Sequence, residues 1–218
     1  QLKKKPAEHF AEVAAVIALA RKKGLECNIY LEDWSNGMRH SQEYVYQYLD
    51  FLQQQPVKRV MLPDTLGVLT PDEVKEYITV IVARYPTLHF DFHAHNDYDL
   101  GTANVLEGVK AGAHGIHLTI NGMGERAGNA SLASAVAVLN DFMPEVKTSV
   151  AETSLYSVSK LVETFSGVRI PANKPIVGEN VFTQTAGIHA DGDKKNKLYF
   201  SDLMPERFGR QRKYALGK

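Results

Sequence analysis

The sequence predicts an α/β fold built on a parallel β-sheet. Segments with helical periodicity alternate with short apolar runs, and this alternation repeats four times along the 218 residues. Apolar residues make up 44% of the chain, which is enough for a substantial buried core. Glycines and prolines mark the ends of several segments, as is typical of successive βα units.

The first two units follow from these signals in chain order. A helix is predicted over Pro6–Lys23, where a glycine ends it, and a strand over Cys27–Leu31 leads into a polar loop, Glu32–Gly37. Ser41–Gln54 has helical periodicity and precedes a second strand over Val57–Leu62. The residues up to Leu62 are therefore predicted to form a helix, a strand, a helix and a strand, in that order.

The third and fourth units continue the pattern. Thr70 is a predicted N-cap, with Glu73 three residues later, for a helix that reaches about Tyr85. The remaining elements are a strand over Leu88–His95, a helix over Tyr98–Ala111, a strand over Gly115–Ile120, a glycine-rich loop over Asn121–Asn129 and a helix over Ala130–Asp141. Four βα units make half of an eight-unit barrel or most of an open doubly wound sheet, and the pattern leaves both open.

The sequence changes in character after about residue 150. A further helix is predicted over Ala151–Gly167, whereas Arg169–Asp193 contains two prolines and is predicted to be extended and irregular. We therefore expect a βα part, residues 1–150, and a helical and extended part, residues 151–218.

Charge and cysteine content exclude several classes of function. The 25 basic and 25 acidic residues cancel, so we expect no general attraction to nucleic acid or to an anionic membrane. No apolar run approaches the roughly 20 residues of a membrane span. The lone Cys27 excludes an internal disulfide and suits a reducing compartment. We expect a cytoplasmic protein that acts on small polar metabolites.

His93 and His95 give the strongest local signal for a functional site. Residues two apart on a strand point to the same side, so the two imidazoles converge, and Asp91 shares that side. They lie at the C-terminal end of their strand, where parallel α/β folds place active sites. The pair suits a divalent metal; a hydrogen-bonded pair without metal is the alternative.

Polar residues also follow a two-residue period on two other strands. They are Asn28, Tyr30 and Glu32 on the first strand and His117, Thr119 and Asn121 on the fourth. Buried polar groups need partners, so these strands suggest a hydrated or metal-bearing centre. The alternative is that the polar sides face solvent.

Two loops contain further candidates. Thr65 could donate a hydrogen bond to a carboxylate substrate, whereas Asp64 belongs either to the site or to a local turn. The loop Asn121–Asn129 lacks the glycine spacing of a dinucleotide site. Its Glu125 and Arg126 either reach the site or form a surface pair.

These motifs resemble those of a known family. His93–Asp97 and Asn121–Asn129 are similar to the paired signature of the isopropylmalate, homocitrate and citramalate synthases, which are metal-dependent, Claisen-condensing TIM barrels. Tyr30–Gly37, Leu62–Leu69 and Arg207–Arg210 resemble the citramalate branch of that family. The resemblance covers essentially all 218 residues. It implies the second half of a TIM (β/α)8 barrel, with four βα units, followed by a linker toward a regulatory domain that is expected after Lys218.

The resemblance also implies roles for individual residues. His93, His95 and Asn129 would hold or adjoin a divalent metal, Zn, Mn or Mg. Glu32 would be a catalytic carboxylate beside the ketoacid, and Thr65 would bind the ketoacid carboxylate. The family's first-strand Arg-Asp pair, whose Asp is another metal ligand, is not among these 218 residues.

The resemblance extends into the predicted linker. His189 would be a second catalytic residue, connected with acetyl-CoA chemistry. Asp191, Leu198 and Tyr199 match linker positions that approach the substrate across a homodimer. Lys197 departs from the family pattern, which has asparagine there.

The implied reaction adds the methyl carbon of acetyl-CoA to the ketone of pyruvate and hydrolyses the thioester, giving (R)-citramalate and CoA for branched-chain amino-acid biosynthesis. Isopropylmalate synthesis from 2-oxoisovalerate is the first alternative. A metal-dependent CoA lyase is the second, although the lyases carry a cysteine in the loop that corresponds to Asn121–Asn129, which has none. An inactive half-barrel is the third, and we expect this chain alone to lack synthase activity.

Overall fold

The computed structural model describes residues 4–196 and 198–215, so Lys197 lies outside the described residues. The chain forms two units. The first contains the residues up to Leu118 together with Gly124–Ala130, and the second contains Thr119–Met123 and the residues from Ser131 onward. The predicted division at residue 150 stays a prediction. None of the described helices combines the length and the apolar composition that crossing a bilayer requires.

Helices and strands alternate in the first unit as the sequence predicts. In chain order they are α1 (Pro6–Lys22), β1 (Cys27–Tyr30), α2 (Trp34–His40), α3 (Gln42–Leu52), β2 (Val57–Asp64), α4 (Pro71–Arg84), β3 (Phe90–Ala94), α5 (Gly101–Lys110) and β4 (Gly115–His117). The α/β fold class is therefore confirmed.

The sheet is parallel, and its strand order, β1-β2-β3-β4, follows the chain order. In a doubly wound sheet the order of the strands reverses at a switch point. In a barrel each strand instead lies beside the one that precedes it in the chain. The described strands show the barrel order. In the register, Pro63 of β2 pairs with His93, and His93 pairs with His117 of β4.

The apolar side of the sheet is covered by α4 and α5. The strand residues on this side are inaccessible to solvent; they are Val60, Leu62, Phe90, Phe92 and Ala94. The helix residues that pack against them are equally buried; they are Val74, Ile78, Ile81 and Val105. Gly108 lets α5 come close to the sheet, because a Cβ there would lie 2.9 Å from the Phe92 ring. Alternate residues of β2 and β3 thus enter this core, and the residues between them point to the other side of the sheet.

Helix α2 was not predicted, because the polar segment Glu32–Gly37 reads as a loop. Trp34 and Met38 are four residues apart and therefore share one face of a helix. Both are buried, and Trp34 is 1% exposed with its ring edge-on to Phe92. Burial of this face outweighs the weak helix propensity of the segment.

The second unit contains a short 3₁₀ turn, Ile120–Gly122, and further elements. They are α6 (Leu132–Phe142), α7 (Leu155–Ser166), β5 (Thr183–Gln184), α8 (Gly187–Asn196) and β6 (Lys213–Tyr214), with short 3₁₀ turns at Glu152–Ser154 and Pro205–Phe208. Its core packs Val136 and Leu155 with Ile176, Val177 and Phe208. The second unit therefore has an apolar core of its own.

Two predictions in this unit were wrong in part. The predicted extended segment Arg169–Asp193 includes the start of α8, where the amides of His189 and Ala190 both bond the carbonyl of Ala186. The helix has no apolar stripe, and its Ile188 is exposed, so apolar periodicity could not reveal it. The helix predicted over Ala130–Asp141 is α6, which begins two residues later, at Leu132. It begins later because Ser131 still forms a parallel bridge to Thr119.

The start of α4 confirms the predicted cap. The Thr70 hydroxyl accepts a hydrogen bond from the Glu73 amide, and the Glu73 carboxylate accepts one from the Thr70 amide at 2.8 Å. Arg39 of α2 donates two bonds, of 2.8 and 2.6 Å, to the same carboxylate. This guanidinium, together with the Thr70 bonds, lowers the pKa of Glu73 to about 2.

Replacing Glu73 by glutamine should lower the free energy of unfolding by about 1–2 kcal/mol at neutral pH, because the variant loses the charged half of the Arg39 pair. The folded pKa lies below the unfolded value of 4.5, so the carboxylate contributes fully above pH 4.5. That contribution is lost as the pH falls toward 2. Urea unfolding at a series of pH values measures the difference; Glu76→Gln, on the exposed side of α4, is the control, and equal effects of both variants would contradict the assignment.

Candidate active site

The imidazoles of His93 and His95 converge at the C-terminal end of β3. Their Nε2 atoms are 3.3 Å apart, and the ring planes are inclined by 69°. Both Nδ1 atoms are buried and have no hydrogen-bond partner. The predicted pairing is present, and its two buried, unpartnered nitrogens are unusual for a purely structural histidine pair.

The distance between the Nε2 atoms suits a shared cation. Two nitrogens at 2.0–2.1 Å from a tetrahedral ion are separated by about 3.3 Å. Burial lowers the pKa of His93 to about 4, and the neighbouring His95 and His117 act in the same direction. His93 is therefore neutral at pH 7 and can offer a nitrogen lone pair. Among the described residues no group of three or more His, Cys, Asp or Glu side chains is placed to hold a metal.

Asn129 lies beside this pair through backbone pairing. His95 and Asn129 form an antiparallel bridge, flanked by hydrogen bonds of 3.0 Å from the Asn96 amide to the Gly128 carbonyl and from the Ala130 amide to the Ala94 carbonyl. Residues opposite each other in such a bridge project to the same side. Asn129 is buried, and its side chain packs over Gly124, where a Cβ would lie 2.3 Å from Nδ2.

Glu32 and Thr65 lie in adjacent turns after β1 and β2. The Thr65 hydroxyl accepts a 3.0 Å bond from the amide of Asp33, the residue that follows Glu32. Both Glu32 and Thr65 line an open groove of about 920 Å³. The Glu32 carboxylate acts on the pKa of His93 in the raising direction, against burial. The structure thus places both residues in one groove and Glu32 within electrostatic range of the histidine pair.

Asp64 and Arg126 have structural roles in these loops. Asp64 is fully buried, and its two oxygens accept bonds of 3.0 Å from the amides of Val68 and Leu69, so it forms the turn. Arg126 donates two bonds, of 2.8 and 2.9 Å, to Asp97 and a third, of 2.7 Å, to the Thr65 carbonyl. Arg126 therefore ties the loops after β2 and β3 to its own.

The polar side of the sheet contains a larger network than the sequence analysis identified. Asp91 accepts hydrogen bonds from Arg59, His89 and His117. Arg59 and His89 were not candidates, although His89 precedes Asp91 by two residues and the period places them on the same side. Tyr30 joins the network through His117, at 2.8 Å.

Asn121 does not continue the polar side of the fourth strand as predicted. Strand β4 ends at His117, and Asn121 has φ of 60°, which turns the chain at that residue. Its side-chain amide donates to the Ser159 carbonyl at 3.0 Å, and the Ser159 hydroxyl bonds its amide oxygen. Asn121 is thus a structural residue of the second unit.

The predicted linker residues all lie in the second unit. The His189 ring is close to the Tyr199 ring, with centroids 4.2 Å apart, and its Nδ1 is 3.2 Å from Gln184 Oε1. Asp191 pairs with Lys195 at 2.7 Å and is exposed, as is Leu198. The unit brings His189 and Tyr199 together, and their roles stay predictions.

Comparison with known proteins identifies the family. The HMGL-like family model matches residues 1–162. The chain belongs to the HMGL-like family.

Curated relatives bear the names of condensing synthases. "Probable 2-isopropylmalate synthase" of Ignicoccus hospitalis is 38% identical over 211 residues, which are 97% of this chain and 52% of that protein. "Putative (R)-citramalate synthase CimA" of Methanopyrus kandleri is 39% identical over 204 residues, 93% of this chain and 39% of that protein. "Homocitrate synthase" of Sulfolobus acidocaldarius is 35% identical over 212 residues, 97% of this chain and 44% of that protein. The chain thus spans about half the length of these relatives or less.

A solved structure supports the fold. The HMG-CoA lyase of Bacillus subtilis superposes with a TM-score of 0.67 at 23% identity, covering 78% of this chain and 60% of that one. The family and the sequential parallel strands confirm both predictions: the resemblance to these synthases, and four βα units of a TIM barrel.

Replacing His95 by alanine should weaken Zn²⁺ binding to this HMGL-like chain at least about tenfold, because one of two converging nitrogens is removed. Equilibrium dialysis of the 218-residue protein measures the binding. His114→Ala, which removes an exposed histidine just before the N-terminal end of β4, should leave Zn²⁺ binding unchanged. Equal binding by the wild-type protein and His95→Ala would argue against the site.

Proposed function

We propose that this chain forms part of an enzyme that condenses acetyl-CoA with a 2-ketoacid in a Claisen-type addition and hydrolyses the thioester to release CoA. The convergent pair His93 and His95, at the C-terminal end of a parallel barrel strand, carries the proposal. The relatives that match the chain bear the names of three synthases, which supports it.

The donor set fits a divalent cation. His93 and His95 would hold it, with Asn129 beside them, and the resemblance to the synthases implies an Asp on another barrel strand as a further ligand. When bound, such a cation polarises the ketone and stabilises the negative charge that develops on its oxygen. Zn, Mn and Mg are the candidates we retain.

Thr65 is suited to orient the ketoacid. Its hydroxyl oxygen already accepts the Asp33 amide bond, so its own proton can be donated to a substrate carboxylate. The Arg126 bond to the Thr65 carbonyl holds the turn in place. We assign Thr65 to ketoacid binding on this basis.

The addition needs a base for the acetyl methyl group. The base takes one proton from that carbon, and the electron pair left behind forms the new bond to the ketone carbon. The displaced π pair of the ketone moves onto its oxygen, which then takes up a proton and becomes the hydroxyl group of the product. Glu32 and Asp33 both line the groove beside Thr65, and the Asp33 carboxylate already accepts from the Asn36 side chain. We therefore assign Glu32 as the first candidate base, and His189 is the second. Water then adds to the thioester carbonyl, and CoA leaves as the thiol.

Pyruvate is the acceptor that we propose, which gives (R)-citramalate on the isoleucine route of branched-chain biosynthesis. The motif resemblance to the citramalate branch supports it. 2-Oxoisovalerate, the acceptor of a 2-isopropylmalate synthase on the leucine route, is the alternative, because a relative with that name matches the chain equally well. A CoA lyase is disfavoured, because Asn121–Asn129 contains no cysteine.

We further propose a cytoplasmic homodimer in which His189, Asp191, Leu198 and Tyr199 contribute to the site of the partner. The 218 residues alone should not catalyse the reaction, because the described part holds no third ligand of the His, Cys, Asp or Glu type. Thiol release by these residues with acetyl-CoA and pyruvate, above a protein-free control, would contradict this expectation.

A ketoacid panel tests the proposed function in the full-length enzyme. CoA release from acetyl-CoA should be fastest with pyruvate, by at least about tenfold in kcat/KM over 2-oxoisovalerate, since one or two methyl groups change discrimination by that order. His95→Ala should abolish turnover, and Glu76→Gln, far from the groove on α4, should not. Preference for 2-oxoisovalerate would establish the alternative, and no release with any ketoacid would contradict the proposal.

A further inference from the structure

The imidazole of His189 has a hydrogen-bond partner that fixes where its proton lies. His189 is in the first turn of α8 and is half-buried, and its Nδ1 lies 3.2 Å from Oε1 of Gln184 in β5. An amide oxygen only accepts hydrogen bonds, so Nδ1 must carry a proton to bond it. In the neutral ring Nε2 is then unprotonated, and it is the atom that can accept a proton.

Tyr199 packs against the same imidazole. The two ring centroids are 4.2 Å apart, and the ring planes are inclined by 40°. Gly192 of α8 leaves room for the tyrosine, because a Cβ there would lie 2.8 Å from Cε2 of Tyr199. Tyr199 is 40% exposed, so its position depends on more than packing. Its backbone is held by Asp193, whose Oδ1 accepts a 3.2 Å hydrogen bond from the Tyr199 amide.

Asp193 is a buried carboxylate with two further donors. It is 5% exposed, and its Oδ2 accepts a 2.8 Å bond from Nη1 of Arg212 and a 3.3 Å bond from the Tyr214 hydroxyl. An ionised carboxylate is costly to bury unless it is paired, and the guanidinium of Arg212 supplies that pair. Asp193 therefore joins α8 and the Tyr199 backbone to the residues at β6.

Strand β6 also reaches His189 by a second route, through Gln184. Gln184 pairs in parallel with Tyr214, and the Ala215 amide donates a 3.0 Å hydrogen bond to the Gln184 carbonyl. β5 and β6 have two residues each, and so short a pair is not stable in isolation. The ion pair between Arg212 and the buried carboxylate, next to this ladder, therefore helps to hold Gln184 as well as Tyr199.

We propose that Gln184 and Asp193 are positioning residues that hold His189 as a base with a free Nε2. The inference deepens and rests on the proposed function, in which His189 is one of two candidate bases. Gln184 keeps the proton on Nδ1, and Asp193 keeps Tyr199 against the ring, so neither residue touches the reacting atoms. When Nε2 takes the proton of the acetyl methyl group, the ring becomes a cation, and the Gln184 oxygen still accepts the Nδ1 bond.

Gln184→Leu in the full-length enzyme tests the first contact. Leucine cannot accept a hydrogen bond, so kcat should fall about tenfold to a hundredfold, while KM for the ketoacid should change less than about threefold. Gln184→Glu retains an acceptor for Nδ1 and should recover most of the lost kcat. Gln47→Leu is the matched control, because Gln47 is exposed on α3 and its side chain bonds Glu43 at 3.2 Å; kcat should not change. An unchanged kcat in Gln184→Leu would overturn the proposal.

A double-mutant cycle with His189→Ala shows whether the positioning residues act through His189. Asp193→Asn alone should lower kcat about tenfold, and Tyr214→Phe, which removes one bond to the same carboxylate, should lower it about threefold. Neither variant, nor Gln184→Leu, should cause a further loss in the His189→Ala background. Tyr214→Phe decides the second contact if Asp193→Asn does not fold. A further loss in that background, or full activity of His189→Ala alone, would overturn the inference.

NMR of the ¹⁵N-histidine-labelled enzyme provides a readout that does not need activity, with the His189 signals identified by their loss in His189→Ala. At a pH at which the ring is neutral, His189 should show a protonated Nδ1 and an unprotonated Nε2, and Gln184→Leu should shift the proton toward Nε2. An unprotonated Nδ1 in the wild type would overturn the inference. If the enzyme condenses no ketoacid, the proposed function fails, while this measurement still decides whether Gln184 sets the tautomer.

Discussion

The two-residue period of β3 is the constraint on which the site depends. Phe90, Phe92 and Ala94 are fully buried under the helices, so Asp91 and His93 must point to the opposite side of the sheet. A slip of one residue would place imidazoles in the apolar core and phenyl rings in the polar centre. The same apolar packing that stabilises the fold therefore sets the register of the histidine pair.

The loops beyond the strands are held by directed polar contacts. The buried carboxylate of Asp64 closes the turn after β2, and the Asp33 amide bond to Thr65 joins that turn to the one after β1. Arg126 then connects Asp97 to the Thr65 carbonyl. These contacts fix the backbone geometry of the loops after β1, β2 and β3, so the Thr65 side chain is held in a defined orientation.

Much of this architecture follows from local sequence, and the exceptions have physical reasons. The βα alternation, the Thr70 cap and the convergence of His93 and His95 depend on short-range periods, which a sequence shows directly. Helix α2 depends on burial of Trp34, a tertiary effect. Asn121 departs from the predicted strand period because β4 already ends at His117 and the chain turns with a positive φ at Asn121. The Asp91 network joins residues far apart in the chain, whose meeting depends on the strand register.

We propose that His93 and His95 share one cation at the end of β3. Anomalous diffraction from crystals of the full-length enzyme grown with Mn²⁺ locates the cation. One strong peak should lie roughly 2.0–2.3 Å from Nε2 of both histidines. A strong peak that neither imidazole binds would show that the two histidines are not the metal ligands.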